Sequence, residues 1–454
     1  MSAHQHPLCV DLDGTLVRTD MLMESLASAL RRSPLAALAL PFWLARGRAA
    51  LKRELASRAD IDVALLPYDA EVLKELRRQR SDGRWLVLAT ASDASIAQRV
   101  ADHLGIFDDV IASDGVRNMK GSVKAQALVD RFGERGFDYM DEHPHGKPVW
   151  KRADNAHVVD RKGGTFAAIV KELRAYQWAK NLLVFVPMVT AHALFAPGAF
   201  VDSVLAFIAF SLVASSVYLV NDLADLQDDR RHPVKRTRPL AAGEFSIAGA
   251  LALLPLLLAA AAVIALALPG TFGALLGAYL AVNLAYSMGL KRIALFDVFV
   301  LAALYTLRIL AGAAAIVVPV SHWLLAFSLF AFLSLALVKR FVEVANAASR
   351  DEARVGGRGY LASDGELLGA LGVACSCLSV LVFALYITSP QVVVLYRSPS
   401  ILWFAVPLLL YWMSRVWFLA HRGRLHEDPL LFALHDPASY AIGLAILLAI
   451  LAAT

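Results

Sequence analysis

The sequence contains little cysteine and little charge. Only three cysteines occur, Cys9, Cys375 and Cys377, and the last two lie in an apolar run without the spacing of a zinc site. We therefore expect neither a cysteine-bound metal nor a disulfide framework. The first seven residues are polar and lead into a strand-like run, so we also expect no secretory signal.

Charged residues form only 18% of the 454 residues, whereas hydrophobic residues form 58%. This composition is too apolar for an ordinary soluble protein. Because the apolar residues are unevenly spread, it predicts a soluble N-terminal domain followed by a membrane domain. The formal net charge of +5 fits the excess of Lys and Arg found in cytoplasmic loops. We expect no nucleic-acid partner, since the aspartate-rich stretch described below has no interleaved aromatic residues.

The N-terminal region, residues 1–160, has the pattern of an α/β domain. Five short apolar runs predict strands, and helical periodicity fills the intervals between them. The runs are Leu8–Val10, Trp85–Ala89, Val110–Ala112, Phe137–Met140 and His157–Val159. A helical insertion at about 19–80 separates the first two runs. Its apolar segment 34–45 is too short to cross a bilayer, and is either a hairpin on the membrane surface or part of an ordinary cap core.

A basic amphipathic linker at 161–181 leads into a second domain, residues 182–454. Nine apolar runs there approach the ~20 residues that a spanning helix needs, which predicts an all-α polytopic membrane domain. The runs lie at about 182–198, 201–220, 247–268, 271–288, 294–317, 322–338, 366–388, 400–419 and 437–453. Lys and Arg concentrate in the loops after the even-numbered runs. These loops and the N-terminal domain are therefore expected on the cytoplasmic face of a bacterial inner membrane.

An aspartate-rich stretch, Asn221–Asp229, follows the second apolar run. Asp222, Asp225 and Asp229 are three and four residues apart, so a helix would place them on one face. Such carboxylates suit Mg²⁺, which prefers one or two carboxylates together with substrate phosphates. Basic residues follow directly, and a metal held beside cationic side chains suits a diphosphate. The alternative is a solvated acidic helix end at the membrane boundary.

The chain from about residue 170 to 454 resembles the UbiA superfamily of intramembrane prenyltransferases. The details point to its decaprenyl-phosphate phosphoribosyltransferase branch. The motifs that carry the resemblance, besides the aspartates, are QWAKN at 177–181, HPVKRTRP at 232–239, Tyr286 with Lys291, Asp297 with Arg308, and KRFVE at 339–343. Aromatic prenyltransferases of the superfamily usually carry a second aspartate-rich loop at the last of these places. Here only Glu343 supplies an acid, which counts against a prenyl diphosphate donor.

The resemblance implies phosphoribosyl diphosphate as donor, a polyprenyl phosphate as acceptor and Mg²⁺ as cofactor. Asp222, Asp225 and Asp229 would hold Mg²⁺ on the diphosphate, and Asn221 would orient an aspartate or a sugar hydroxyl. The residues expected to bind substrate are Lys180, Asn181, Lys235, Arg236, Arg238, Tyr286, Lys291, Arg308, Lys339, Arg340 and Glu343. For each single Lys or Arg the alternative is a loop charge that sets topology. Asp297 and Arg308 are too far apart to pair directly, so partners on other helices are expected.

The segment Asp11-Leu12-Asp13-Gly14-Thr15 resembles the first motif of the haloacid dehalogenase (HAD) superfamily of phosphohydrolases. The resemblance implies a Rossmann-like α/β domain in which Asp11 is the nucleophile and Asp13 the general acid and base. Thr90 would bind the phosphate, and Lys124, or else Lys120, would neutralise it. Mg²⁺ would lie beside Asp11, with Asp13 and Glu142 as further ligands.

The fourth HAD motif departs from the family pattern, which places an aspartate pair of the form GDxxxD after the fourth strand. Asp141 or Glu142 supplies the first acid, but Gly146 stands at the second position. Either the two neighbouring acids compensate, or the domain is a poor or inactive phosphatase. His143 and His145 suggest a metal site, although solvated loop histidines are the preferred interpretation.

These features together predict an enzyme with two domains. The leading function is Mg²⁺-dependent transfer of 5-phosphoribose to a polyprenyl phosphate, with a fused phosphatase that removes the 5-phosphate if it is active. One alternative is an aromatic prenyltransferase that uses a prenyl diphosphate for a quinone. The other is a membrane protein that binds polyprenyl phosphate without catalysis.

Overall fold

The structure, a computed structural model, describes residues 6–33, 35–142, 147–159, 166–389, 396–425 and 428–453. His143, His145 and Gly146 of the fourth HAD motif lie outside these residues. The chain divides into two compact units. Unit one consists of Met1–Leu173 and Tyr218–Leu256, and unit two of Arg174–Val217 and Leu257–Thr454. Unit one therefore holds the aspartate-rich stretch as well as the predicted phosphatase domain.

A parallel five-stranded sheet forms the centre of the N-terminal domain, in the order β3-β2-β1-β4-β5. The strands are β1 (Leu8–Val10), β2 (Leu86–Asp93), β3 (Asp109–Ser113), β4 (Asp138–Glu142) and β5 (Ala156–Val159). All five predicted strands are present, which confirms the α/β fold. Because the strands are parallel and β1 lies between β2 and β4, the residues that follow these three strands meet at one edge of the sheet.

Three helices make up the first part of the predicted insertion between β1 and β2. They are α1 (Met21–Arg32), α2 (Ala36–Ala45) and α3 (Arg48–Arg58). The Asp20 side chain accepts hydrogen bonds from the backbone of Leu22 and Met23, which caps the start of α1. Further helices cover the sheet: α4 (Ala70–Ser81), α5 (Ala94–Leu104), α6 (Ser122–Phe132) and α7 (Lys147–Trp150).

The C-terminal region is helical, as predicted. Its helices are α8 (Phe166–Glu172), α9 (Val186–Thr190), α10 (Ala199–Ala224), α11 (Leu226–Arg231), α12 (Ile247–Leu266), α13 (Gly270–Met288), α14 (Phe296–Ala315), α15 (His322–Ala348) and α16 (Gly365–Ile387), followed by Ala405–His421, Pro429–Ala433 and Pro437–Ala453. A 3-10 helix, Ala175–Phe185, precedes α9.

Within the described residues, seven helices are long and apolar enough to cross a membrane. They are Ala199–Ala224, Ile247–Leu266, Gly270–Met288, Phe296–Ala315, His322–Ala348, Ala362–Ile387 and Pro399–His421. The prediction of nine spans is therefore not reproduced. Residues 182–198 do not form one helix, because the backbone takes positive φ at His192 and Gly198. The last run forms a helix of only 17 residues, Pro437–Ala453.

Unit two has a packed aromatic and aliphatic interior. Phe210 of α10 packs against Phe272 and Tyr279 of α13, with ring centroids 6.0 and 4.9 Å apart. Gly312 of α14 lies against the 3-10 helix so closely that a Cβ there would stand 2.0 Å from the Val184 carbonyl oxygen. Close packing of this kind fixes the polar side chains that these helices carry into the interior.

Candidate functional site

The edge of the sheet holds the first candidate site, the HAD crevice. Asp11 follows β1 directly, and Lys124 of α6 places its Nζ 2.9 Å from Asp11 Oδ2. Lys124 is buried and also donates hydrogen bonds to the Tyr139 hydroxyl at 2.7 Å and the Ala89 carbonyl at 3.2 Å. Lys120 is exposed. Of the two lysines considered from sequence, Lys124 is thus the one that meets the acid.

Asp13 faces the same crevice. It accepts hydrogen bonds from the backbone N–H of Met21 at 2.7 Å and from the Ser92 hydroxyl. Thr90 is fully buried, and its hydroxyl accepts from the Ser92 N–H at 3.0 Å. Burial, and then the charges of Asp20 and Asp11, raise the pKa of Asp13 to about 7. A carboxyl group with this pKa can both donate and accept a proton near neutral pH.

The two acids at the end of β4 enter the crevice in different ways. The Thr15 hydroxyl donates a hydrogen bond to Asp141 Oδ1 at 3.2 Å. Burial, and then the charge of Asp11, raise the pKa of Asp141 to about 7. Glu142 lies beside Gly14, since a Cβ on that glycine would stand 2.6 Å from Glu142 Oε2. The sequence left open whether Asp141 or Glu142 supplies the first acid of the fourth HAD motif, and of these two only Glu142 was predicted to bind Mg²⁺. Of the two acids, the buried Asp141 is the one on which the charge of Asp11 acts.

The aspartate-rich stretch of unit one forms the second candidate site. It is not one continuous helix, because Asp225 lies between α10 and α11 with a non-helical ψ of 13°. Asp222 at the end of α10 and Asp229 in α11 are both buried and share one cation. Arg238 Nη1 lies 3.0 Å from Asp222 Oδ1 and also binds Asp229 Oδ2. Asp222 and Asp229 thus converge on Arg238, and Asp225 is half-buried at the helix junction. A single face shared by all three aspartates stays a prediction.

The basic residues after the aspartates separate into two groups. Lys235 Nζ lies 3.9 Å from Asp229 Oδ1, so it shares the site with Arg238. Arg230 instead forms a buried pair with Glu24 of α1, and Arg231 reaches Asp62 at 3.2 Å. Arg236 is exposed and Asn221 half-buried. Burial raises the pKa of Asp229, and Arg238 opposes that shift.

No three His, Cys, Asp or Glu side chains are grouped closely enough to hold a metal ion anywhere in the described ranges. The carboxylates of Asp222 and Asp229 nevertheless form a pair, and Mg²⁺ is usually bound by one or two carboxylates with the remaining positions filled by water and substrate phosphates. The donor set therefore fits Mg²⁺ delivered with a diphosphate, provided that Arg238 turns to the phosphates.

Unit two holds two polar networks among its predicted site residues. In the first, Arg308 donates to Asn181 Oδ1 at 2.9 Å and to the Tyr279 hydroxyl at 2.7 Å. Asn181 in turn donates to the Ser211 hydroxyl at 3.0 Å. Arg308 therefore has its partners on other segments, as predicted, and not on Asp297.

The second network surrounds Arg340, which is fully buried in α15. Its Nε lies 2.5 Å from Asp297 Oδ2, its Nη1 binds Glu343, and its Nη2 donates to the Tyr286 hydroxyl at 2.9 Å. Two further residues complete the network: Tyr360, which sequence reasoning missed, and Arg358, which it treated only as a loop charge. Tyr360 donates its hydroxyl proton to Asp297, and Arg358 donates to Tyr286 at 2.9 Å. Both lie in the basic loop after α15, where only the arginines attracted notice.

Asp428 is a third residue that sequence reasoning missed. Its Oδ2 lies 2.8 Å from Lys180 Nζ and 3.4 Å from Lys339 Nζ, so it brings together two lysines predicted to bind phosphate. Although burial opposes the change, Lys339 and Lys180 lower the pKa of Asp428. Lys291 is half-buried in the short turn after α13. The spacing of 248 residues between Lys180 and Asp428 explains why no local pattern pointed to this contact.

Comparison with known proteins supports both domains. The UbiA prenyltransferase family matches residues 184–451, and the family of haloacid dehalogenase-like hydrolases matches residues 8–147. The uncharacterized protein y4nM of Sinorhizobium fredii is 39% identical, over 96% of this chain and 89% of that protein. Nodulation protein NoeC of Azorhizobium caulinodans is 34% identical, over 62% of this chain and 92% of that protein. Both expected families are thereby confirmed.

Two further similarities concern the membrane domain. Decaprenyl-phosphate phosphoribosyltransferase of Mycolicibacterium smegmatis is 36% identical over 42% of this chain and 60% of that protein. A UbiA homolog from Archaeoglobus fulgidus, solved with GPP and Mg²⁺, covers 63% of this chain and 98% of its own, with a TM-score of 0.47 and 17% identity. The first similarity spans less than two thirds of the mycobacterial protein.

Proposed function

We propose, because this chain belongs to the UbiA prenyltransferase family, that its membrane domain transfers 5-phosphoribose from phosphoribosyl diphosphate to a polyprenyl phosphate. The observation that carries the proposal is the buried pair of Asp222 and Asp229 on either side of Arg238. Paired carboxylates beside a guanidinium offer complementary charges to both a metal and a diphosphate. The relatives named decaprenyl-phosphate phosphoribosyltransferase support this choice of substrates.

Asp222 and Asp229 would hold Mg²⁺, with Asp225 near by at the helix junction. Bound there, Mg²⁺ would stabilise the negative charge that develops on the diphosphate as the bond to the ribose C1 breaks. Arg238 and Lys235 would bind phosphate oxygens, and Asn221 would orient an aspartate or a sugar hydroxyl. The acceptor phosphate is already anionic, so its attack on C1 requires no strong general base.

The lysines of unit two are proposed to bind phosphate as well. Asp428 holds Lys180 and Lys339 close to one carboxylate oxygen, and two ammonium groups at such a spacing suit one phosphate group. Arg308 and Arg340 are buried in hydrogen-bonded networks, so their proposed contribution to substrate binding is through Asn181, Tyr286 and Glu343.

The HAD crevice is proposed to remove the 5-phosphate from the product. An Asp11 carboxylate oxygen would attack phosphorus, the bond between phosphorus and the ribose O5 would break, and Asp13 would protonate the departing oxygen. Water would then hydrolyse the phosphoaspartate, with Asp13 accepting a proton. Asp141 and Glu142 would compensate for the glycine at the second acidic position. Tethering both sites on one chain raises the local concentration of the lipid intermediate.

We place both activities on the cytoplasmic face of a bacterial inner membrane. Basic loop residues of the membrane domain support this orientation, since Lys and Arg are enriched in cytoplasmic loops.

Mass spectrometry of lipids tests the proposal. Purified full-length protein is incubated with polyprenyl phosphate, phosphoribosyl diphosphate and Mg²⁺. A lipid that gains phosphoribose supports the transferase with a silent phosphatase, and one that gains ribose supports both activities. An unchanged lipid contradicts the transferase, and prenyl diphosphate with an aromatic acceptor is then the next substrate pair. For the phosphatase, Asp11→Asn should change the product from ribose-lipid to phosphoribose-lipid, and an unchanged product would contradict it.

A further inference from the structure

Helix α2 of the insertion exposes a wide apolar surface. Leu35, directly before it, is 74% exposed, and within it Leu38 is 79%, Phe42 64% and Leu44 54% exposed. The helix contains no charged residue. Positions 35, 38 and 42 follow the three- and four-residue spacing of one helix face. We call this set of four residues the α2 patch.

The opposite side of α2 is firmly packed. Trp43 is buried together with Ala29 of α1 and Leu55 of α3. The guanidinium carbon of Arg58 lies 4.5 Å from the centre of the Trp43 ring system, which adds a cation–π contact. The α2 patch is thus held on the outside of a structured three-helix insertion.

Arginines flank the patch along the chain, and two of them are paired: Arg31 with Asp228 at 2.7 Å and Arg46 with Glu54 at 3.6 Å. Arg31 and Arg32 end α1 just before it, and Arg46 and Arg48 follow it, all with exposed side chains. An apolar helix face bordered by basic residues matches an anionic membrane surface, where apolar side chains enter the acyl boundary and cations meet the headgroups. A second copy of the same face fits poorly, because the two sets of arginines would repel each other.

Unit one also fixes this insertion to membrane helices. Met23 and Ala27 of α1 pack in one cluster with Leu219 and Leu223 near the end of α10, and with residues of the first turns of α12. A buried ion pair strengthens that contact, since the two terminal guanidinium nitrogens of Arg230, Nη1 and Nη2, both donate to the Glu24 carboxylate. Helices α10 and α12 are both long and apolar enough to span a bilayer. Helix α2 therefore comes directly after α1 in the chain, and α1 packs against the ends of two helices that can span a membrane.

We propose that α2 lies in the interface of the bilayer, with the α2 patch toward the acyl chains. This surface would attach the phosphatase domain to the membrane independently of what the transferase transfers. The proposal commits to lipid, and contact with protein is an outcome of its test.

Site-directed spin labelling of the full-length chain tests the proposal. Cys9 and Cys375 are buried, so a Cys377→Ser background leaves no exposed native thiol among the described residues. A nitroxide is attached at Leu38→Cys or Phe42→Cys, with Val123→Cys as control, because Val123 is an apolar side chain 46% exposed on α6 of the α/β domain. The protein is reconstituted in vesicles of phosphatidylcholine and phosphatidylglycerol.

Collision of the nitroxide with oxygen and with a water-soluble nickel chelate is then measured. We expect oxygen to dominate at both patch positions and the nickel chelate to dominate at Val123. Nickel dominance at the patch would mean that the surface faces water, and low collision with both would mean that protein covers it. Either result overturns the proposal.

A second measurement separates membrane contact from an effect of the label. With the nitroxide at Leu44→Cys, the double change Leu38→Glu and Phe42→Glu should abolish the preference for oxygen, because carboxylates do not enter the acyl boundary. Because Leu38 and Phe42 are both exposed, changing them leaves the packed side of α2 around Trp43 intact. Retention of the oxygen preference would overturn the proposal.

Discussion

The HAD crevice and the aspartate-rich stretch are both acidic sites of unit one, but different forces hold their carboxylates in place. In the crevice, Asp11 follows β1 and Asp141 lies near the end of the neighbouring parallel strand β4, so the register of the sheet brings them together. In the stretch, Asp222 and Asp229 lie on two separate helices and are joined by Arg238, a side chain from a later segment.

This difference shows which site a local motif can define. The crevice follows from strand order, and side-chain substitutions change its chemistry more than its shape. The stretch depends on ion pairs, since Arg230 fixes α11 to Glu24 while Arg238 joins the two aspartates. Loss of one charge partner should therefore disturb the geometry of the stretch and leave the sheet in place.

The largest expected effect comes from breaking the buried pair of Glu24 and Arg230. Glu24→Gln leaves the Arg230 guanidinium buried without a counter-charge, which costs roughly 3–5 kcal/mol of local stability. Hydrogen exchange should show lost protection in α1 and α11, and unchanged protection in β1 and β4.

The matched control is Arg31→Gln. Arg31 pairs with Asp228 at 2.7 Å, but both side chains are about half exposed. Such a pair contributes about 1 kcal/mol or less. Equal losses in the two variants, or lost protection in β1 and β4, would contradict the distinction between the two sites.

The next effect concerns catalysis at the stretch. Asp229→Asn removes one of the two paired charges and should lower the rate of phosphoribosyl transfer by about 100-fold or more, as expected when a metal ligand is lost. The adjacent Asp228 is exposed and pairs with Arg31 and Arg231, so Asp228→Asn should stay near the wild-type rate. The initial rate at saturating Mg²⁺ measures both. Similar rates in the two variants would argue against the assigned role of Asp229.

A further effect concerns the pH dependence of stability at the HAD crevice. Without a bound metal, as in EDTA, the pKa values of Asp13 and Asp141 in the folded protein are each raised to about 7. Between the unfolded and the folded pKa values, these two groups therefore bind more protons in the folded chain than in the unfolded chain. The contribution of these two groups to stability is therefore fully present at low pH and is lost as the pH rises through the folded pKa of about 7.

Thermal melting of the full-length protein measures this dependence. The melting temperature in EDTA should fall between about pH 5 and pH 8, and Asp141→Asn should flatten that fall because the amide does not titrate. Asp130→Asn, on the exposed side of α6, is the control and should keep the wild-type slope. A rise of stability over this range in the wild type would rule out the raised pKa values.

The smallest expected effect distinguishes the two cationic side chains at the aspartate-rich stretch, those of Lys235 and Arg238. Lys235 lies 3.9 Å from Asp229 Oδ1 and its side chain is 47% exposed, so Lys235→Gln should change the KM for the donor only a few-fold. Arg238→Gln removes the shared partner of two buried carboxylates and should change it much more. Donor titrations compare the variants, and the reverse order would show that Lys235 is the main phosphate ligand.

Sequence patterns predicted the features that depend on neighbouring residues. Apolar runs located all five strands and the seven spanning helices, since burial acts on each segment separately. The run at 182–198 was misjudged because backbone turns at His192 and Gly198 interrupt it. Contacts that join distant segments, such as Asp428 with Lys180 or Glu24 with Arg230, have no local signal. Site residues that belong to a local motif, such as Asp11, Lys124, Asp229 and Arg238, were thus predictable, whereas acids that meet a site from a distant segment, such as Asp428 and Glu24, were not.

Arg238 would also act as a filter on what the proposed site at the aspartate-rich stretch accepts. A cation that arrived alone would compete with the guanidinium for Asp222 and Asp229. An anion that arrived alone would draw Arg238 away from both buried carboxylates, with Lys235 remaining 3.9 Å from Asp229. A ligand that carries both signs, such as a metal diphosphate, would match these charges best. Under the proposed function, the same internal ion pair would disfavour both free phosphate and stray divalent ions.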